Sequence, residues 1–143
     1  MHILFVCTGN ICRSPMAEGI ARERFPDLAT YSSAGMVAVR GATPTSSAVA
    51  AAAEIGIDIS DLRAAPVRKG SNPLPDHIYV MTAGHLERVV AAFPGLAERV
   101  ELLDPEGEVP DPYGYDLDSY RAARDQIERA IEARSREWTN ETG

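Results

Sequence analysis

Ile3-Leu4-Phe5-Val6-Cys7-Thr8-Gly9-Asn10-Ile11-Cys12-Arg13-Ser14-Pro15 is the stretch on which the reading of this chain turns. Its first four apolar residues form the pattern of a short buried strand, and that strand ends at a cysteine. Five residues then separate Cys7 from Arg13. Ser14 and Pro15 open an amphipathic helix, where a proline's missing N–H costs nothing. A strand, a tight loop and a helix start bring several backbone N–H groups to one spot, with the helix dipole behind them. That arrangement is an anion site. A thiol at one end of the loop and a guanidinium at the other add a nucleophile and a bidentate clamp for oxyanions. The same positive field favours the thiolate of Cys7. The chemistry predicted is phosphoryl transfer through a phosphocysteine.

The rest of the chain alternates strands and helices around that loop. A helix is expected from Pro15 to Phe25, and a second strand from Ala29 to Ala34 closed by Gly35. Thr43-Pro44 starts an alanine-rich helix ended by Gly56, and Ser60 to Val67 reads as a short helix. Arg68 to Pro75, with Gly70, Pro73 and Pro75, reads as loop. His77 to Met81 is the third strand, and Gly84 to Phe93 a helix stopped by Pro94-Gly95. Arg99 to Leu103 is the fourth strand. Leu117, Tyr120, Ile127, Ile131 and Trp138 share one face of a long last helix. The implied fold is α/β: one domain over residues 1–143, a four-stranded parallel sheet with helices on both faces, Rossmann-like, with residues 139–143 a frayed tail. In such sheets ligands sit at the carboxyl ends of the strands. Cys7 lies at such an end, and Asp111, after the fourth strand, can reach the same rim.

Composition narrows the functional classes. The net charge of −7 argues against a nucleic-acid partner. No apolar run approaches a membrane span and no signal peptide precedes the first strand. The only two cysteines sit in one loop, which is no disulfide framework and points to a reducing, cytoplasmic setting. His2, His77 and His85 are never paired at ligand spacing, so no metal is expected.

The loop and a second motif, Asp111-Pro112-Tyr113-Gly114, together resemble the low-molecular-weight protein tyrosine phosphatases. The likeness runs through Cys-Thr-Gly-Asn-x-Cys-Arg-Ser-Pro-Met-Ala-Glu and extends from Ile3 to about Ile131. It implies Cys7 as nucleophile, Arg13 as clamp of the phosphate and transition state, and Asp111 as general acid and then base. Ser14 would cap the helix and also donate to the thiolate. Thr8, Gly9, Asn10, Ile11, Cys12 and Ser14 complete the phosphate-binding loop, and Ile11 and Tyr113 wall the pocket. Cys12 would protect Cys7 by a reversible disulfide. Gly9 is read as the residue that lets the backbone turn toward the ligand, and Asn10 as one that tolerates left-handed angles or braces the loop. Two prolines stiffen the segment around Asp111, and a proton donor there calls for burial and a nearby phosphate dianion. No cofactor is expected, because Arg13 and the backbone supply the electrostatics.

Departures from the family pattern bear on substrate. Many members carry a histidine where this chain has Leu62, an arginine near Ala65, and an aspartate where it has Thr82. The segment Ser33 to Arg40 lacks the aromatic that tyrosine phosphatases often present, and with Gly41-Ala42-Thr43-Pro44 it is closer to the protein-arginine-phosphatase branch. Ile11 points the other way. That branch tends to carry threonine there, whereas a methyl surface suits an aryl ring and leaves guanidinium N–H groups unpaired. The expectation is therefore a phosphotyrosine or aryl phosphate substrate, with protein-arginine phosphatase as the alternative, acting as a monomer. A thiol-coupled arsenate reductase is disfavoured because no cysteine follows Cys12. A non-catalytic phosphate-binding module is disfavoured by the joint presence of Cys7, Arg13 and Asp111.

Overall fold

Strand β1 (His2–Cys7) is buried along its whole length, as its apolar run requires, and it lies inside the sheet. This computed structural model describes residues 1–68 and 74–142, with side chains described through Glu141. Strands β2 (Thr30–Gly35), β3 (His77–Val80) and β4 (Val100–Leu102) complete a four-stranded parallel sheet in the order β2-β1-β3-β4. The period of two along β1 sorts its side chains between two cores. Ile3, Phe5 and Cys7 face the larger one, beneath helices α1 (Arg13–Arg24), α2 (Ser46–Ala53) and α4 (Leu117–Thr142). Leu4 and Val6 face the smaller one, with Val89 and Phe93 of helix α3 (Ala83–Ala92) or its end. The expected α/β sheet covered on both faces is the observed one.

Burial of large side chains locks α4 over the larger core. Tyr120, Ile127, Ile131 and Trp138 are all buried, and the Trp138 Nε1–H donates to the Tyr79 hydroxyl at 2.9 Å. Fully burying an aliphatic or aromatic side chain contributes about 1.5–3 kcal/mol. This row is therefore what holds α4 in place, since its charged outer face contributes little. The tail expected to fray stays helical to Thr142. His77 and Glu141 meet at 2.9 Å, and the Thr139 hydroxyl donates to the Ser135 carbonyl at 2.8 Å.

The expected helix from Ser60 to Val67 is absent. Pro66 lacks an N–H and pushes Ala65 toward extended angles. The segment instead lies along β2, where Gly35 N–H donates to the Ala65 carbonyl at 2.9 Å and Val67 N–H to the Gly35 carbonyl at 3.1 Å. Helix α2 begins later than expected, because Thr45 caps it by accepting from Ala48 N–H at 3.2 Å. Pro94-Gly95 stops α3 and opens a 3-10 helix, Pro94–Arg99. The loop expected from Arg68 to Pro75 falls mostly on 69–73, outside the described residues.

Candidate active site

The loop from Cys7 to Arg13 turns its carbonyls outward. Those of Cys7 and Thr8 accept from Met36 and Val37 N–H at 3.0 and 2.9 Å, and that of Ile11 from Thr45 N–H at 2.9 Å. In a trans peptide the following N–H points the opposite way. The N–H groups of Thr8, Gly9 and Cys12 therefore face the concave side, where the dipole of α1 adds to them. Such a set of converging N–H groups is able to receive an anion.

Two residues make the curvature possible, and one of them is not the expected glycine. Asn10 holds the left-handed backbone angle, φ 57°. A methyl group on Gly9 would meet only the Ile11 side chain, at 3.5 Å, so Gly9 is not what lets the loop turn. The indispensable glycine is Gly35, paired beside Cys7 in the sheet. A Cβ there would stand 2.7 Å from the Thr8 carbonyl oxygen and 2.9 Å from the Asn10 nitrogen, both backbone atoms. Nothing local in Ser33-Ala34-Gly35 announces this; the strand register does.

Side chains then brace the sulfur. Cys7 Sγ lies 2.9 Å from Ser14 Oγ and accepts from Asn10 N–H at 3.3 Å. The Asn10 amide donates to Ser14 Oγ and Ser33 Oγ at 2.8 and 2.9 Å and accepts from Ala65 N–H at 3.0 Å. The Ser33 hydroxyl donates to Glu18 at 2.6 Å. Asn10 engages one lone pair of the Ser14 hydroxyl, whose proton is within reach of both the sulfur at 2.9 Å and the Ala34 carbonyl at 3.4 Å. Ser14 does not cap α1, which begins at Arg13 with no side-chain cap. Burial pushes the Glu18 carboxyl up, against the Ser33 hydroxyl and the Arg22 guanidinium, which stands 2.9 Å away. Ala65 enters this network only through its backbone N–H, and Leu62 packs against the larger core.

Arg13 is buried, and its three guanidinium nitrogens can be followed one by one. Nη1 donates to the Val109 carbonyl at 2.8 Å. Nη2 stands 3.5 Å from Thr8 Oγ1 and 3.7 Å from Asp111 Oδ2. Nε is buried and has no partner. The Nε–Nη2 edge is thus the side of the fork open to an oxyanion. Cys7, Thr8, Gly9, Ile11, Cys12, Arg13, Asp111 and Tyr113 line one pocket of about 180 Å³. Asp111 shares it, yet lacks the burial that the sequence reading calls for. Its side chain is 51% exposed, because the segment runs along the rim, and Oδ1 accepts from Tyr113 N–H at 3.1 Å.

With that geometry in hand, comparison with known proteins is decisive. Residues 2–141 match the model of the low molecular weight phosphotyrosine protein phosphatase family. The chain belongs to this family. It is 34% identical over 136 residues to a protein-arginine-phosphatase of Geobacillus stearothermophilus, covering 92% of this chain and 91% of that one. It is equally 34% identical over 141 residues to the low molecular weight protein-tyrosine-phosphatase Wzb of Escherichia coli K12, covering 96% and 92%. Among solved structures, the low molecular weight protein tyrosine phosphatase from T. tengcongensis superposes with a TM-score of 0.90 at 35% identity, covering 96% of this chain and 99% of that one. The chain is accordingly a hydrolase of the protein-phosphatase class.

Two further side chains bear on the phosphatase pocket, Cys12 from its lining and His85 through Thr8. Cys12 is buried, and burial pushes its thiol up; its Sγ lies 3.5 Å from the Tyr120 hydroxyl and 3.8 Å from that of Thr45. Both cysteines are free thiols. His85, in the first turn of α3, reaches Thr8 Oγ1 with Nε2 at 2.8 Å. Sequence reasoning sets it aside as one of three scattered histidines, since nothing in its spacing links it to Thr8. Among the described residues no group of three or more His, Cys, Asp or Glu is placed to hold a metal ion, and no helix is long and apolar enough to cross a membrane.

Proposed function

We propose that this phosphatase hydrolyses phosphotyrosine or related aryl phosphates through a phosphocysteine on Cys7. A phosphate dianion docks on the loop N–H groups and on the open Nε–Nη2 edge of Arg13. Cys7 attacks phosphorus in line, the P–O bond to the phenol breaks, and Asp111 gives its proton to the departing oxygen. Asp111 then takes a proton from water as that water's oxygen bonds to phosphorus, the S–P bond breaks, and inorganic phosphate and the free thiolate are released. Thr8, Gly9, Asn10, Ile11, Cys12 and Ser14 serve as the cradle. Cys12 acts as the protective partner of Cys7 under oxidation.

The observation that carries the substrate choice is the make-up of the pocket wall. Ile11 and Tyr113 line it together with Arg13 and Asp111. They offer apolar surface and a ring to stack on, with the Tyr113 hydroxyl as their one side-chain acceptor for guanidinium N–H groups. The relationship to protein-arginine-phosphatase supports phosphoarginine as the second reading, with Asp111 then the only carboxylate among the residues lining the pocket. Phosphate release from a phosphotyrosine peptide and a phosphoarginine protein, side by side with Cys7→Ser as blank, decides between them. Preference for phosphotyrosine upholds the first reading, and preference for phosphoarginine replaces it.

We propose further that the enzyme acts as a cytoplasmic monomer without cofactor, on phosphorylated proteins rather than nucleic acid or membranes. The two free thiols support a reducing compartment, and the net charge of −7 argues against nucleic acid. Sedimentation of the purified protein as a dimer would count against the monomer.

A further inference from the structure

Among the described residues, two buried side-chain nitrogen or oxygen atoms lack a partner, Arg13 Nε and His85 Nδ1. The first is explained by an incoming phosphate. The second belongs to a residue with no role so far, and its other nitrogen holds the Thr8 hydroxyl at 2.8 Å. Burial is the first cause, and the Arg13 and Arg88 charges add to it, in lowering the His85 imidazole to about 4. Near neutral pH the ring is uncharged, with one donor nitrogen and one acceptor nitrogen. An unpaired buried N–H is rarer than an unpaired acceptor, so the proton belongs on Nε2, where it has a partner, and Nδ1 keeps an unused lone pair.

That tautomer settles what Thr8 can do. Its oxygen accepts from His85 Nε2–H and faces Arg13 Nη2 at 3.5 Å, and a guanidinium can only donate. Both lone pairs are then engaged, and the hydroxyl proton must point elsewhere. Thr8 lines the pocket with Cys7, Arg13 and Asp111. We propose that the Thr8 hydroxyl is a catalytic donor to the phosphoryl group, and that His85 is the positioning residue that aims it. The inference rests on the reading of this pocket as a phosphomonoester site. It assigns to the Thr8 side chain a role separate from that of its backbone N–H, and draws α3 into the site.

The test uses p-nitrophenyl phosphate turnover and inhibition by orthovanadate on the full chain and on Thr8→Val, Thr8→Ser, His85→Asn and the double variant Thr8→Val/His85→Asn. Valine keeps the shape and removes the hydroxyl; serine restores it; asparagine is too short to reach Thr8. A hydrogen bond to a charged group corresponds to roughly a tenfold effect or more. Thr8→Val should weaken vanadate inhibition and lower kcat/KM about tenfold, while Thr8→Ser stays within about twofold. His85→Asn should match Thr8→Val, and the double variant should be no worse than either, because the two residues act as one unit. A merely structural histidine would lower the melting temperature and multiply its loss with that of Thr8→Val, which overturns the proposal. Thr8→Val indistinguishable from the parent also overturns it. If His85→Asn fails to fold, the valine and serine pair decides alone. A parent protein that neither turns over the ester nor binds vanadate refutes the underlying phosphatase reading instead.

Discussion

Residues 7–14 and residues 109–115 face one pocket but are held in contrasting ways. Arg13 is 3% exposed and Asp111 51%, although their side chains stand only 3.7 Å apart. The phosphate loop is tied to β2, to α2 and to the 60–67 segment through backbone bonds and the Asn10 amide. The 109–115 segment is anchored at its start, where Val109 N–H donates to the Met81 carbonyl at 2.9 Å and the Val109 carbonyl accepts from Arg13. Beyond it Pro112 is buried, but Tyr113 and Tyr115 open outward, 61% and 71% exposed. The contrast fits the chemistry proposed for each. Donors that stabilise developing charge work best when fixed in advance, away from water. A group that passes protons to varied leaving oxygens, and later to and from water, has to stay within solvent reach.

The largest test of this contrast falls on the buried side. Cys7→Ser should lower turnover by roughly 10⁴-fold or more while phosphate or vanadate still binds, since the cradle is backbone and Arg13; binding can be read by protection against thermal unfolding. On the exposed side, Asp111→Asn should cost about 10²–10⁴-fold on esters of poorly leaving alcohols and far less on p-nitrophenyl phosphate. Equal loss across leaving groups would remove Asp111 from the proton-donor role. A scaffold change comes next. Gly35→Ala puts a methyl against the loop backbone, and because displacements of about 1 Å can cost 10²-fold, a loss of about that size is expected with the sheet intact by circular dichroism.

The smallest effect is one of stability against pH. The folded state holds His85 below its ordinary value, so the unfolded chain binds the extra proton first as pH falls. Stability from this group is fully present above about 6.5 and is lost as pH drops toward about 4. His85→Gln should flatten that part of the melting-temperature profile. The remaining slope would come partly from His2, which burial shifts in the same direction.

Much of this was legible in the chain itself, for identifiable reasons. The apolar run into Cys7, the loop and the helix start are local in sequence, and so are the two prolines about Asp111. The alternation of strands and helices then puts Cys7 and Asp111 at one sheet edge. What was not legible depends on register. Gly35 matters because β2 pairs alongside Cys7, and His85 because α3 starts beside Thr8. The Val109 carbonyl matters because it takes one Arg13 donor and leaves the other edge open. Gly9 was credited with a turn that Asn10 makes, and Pro66, which already argues against a helix over 60–67, sits where that segment bridges to Gly35 at the end of β2. Burial of Asp111 was expected from the demands on a proton donor, but its two prolines stiffen the segment without covering the carboxylate.

The central claim is that Cys7, seated in a preformed anion cradle, carries the phosphoryl group. The direct measurement is an acid quench during turnover of a ³²P-labelled aryl phosphate, followed by peptide mapping. The account predicts label on the peptide holding Cys7, absent in Cys7→Ser and longer lived in Asp111→Asn. Label on another residue, or turnover with no labelled enzyme at any quench time, would contradict it.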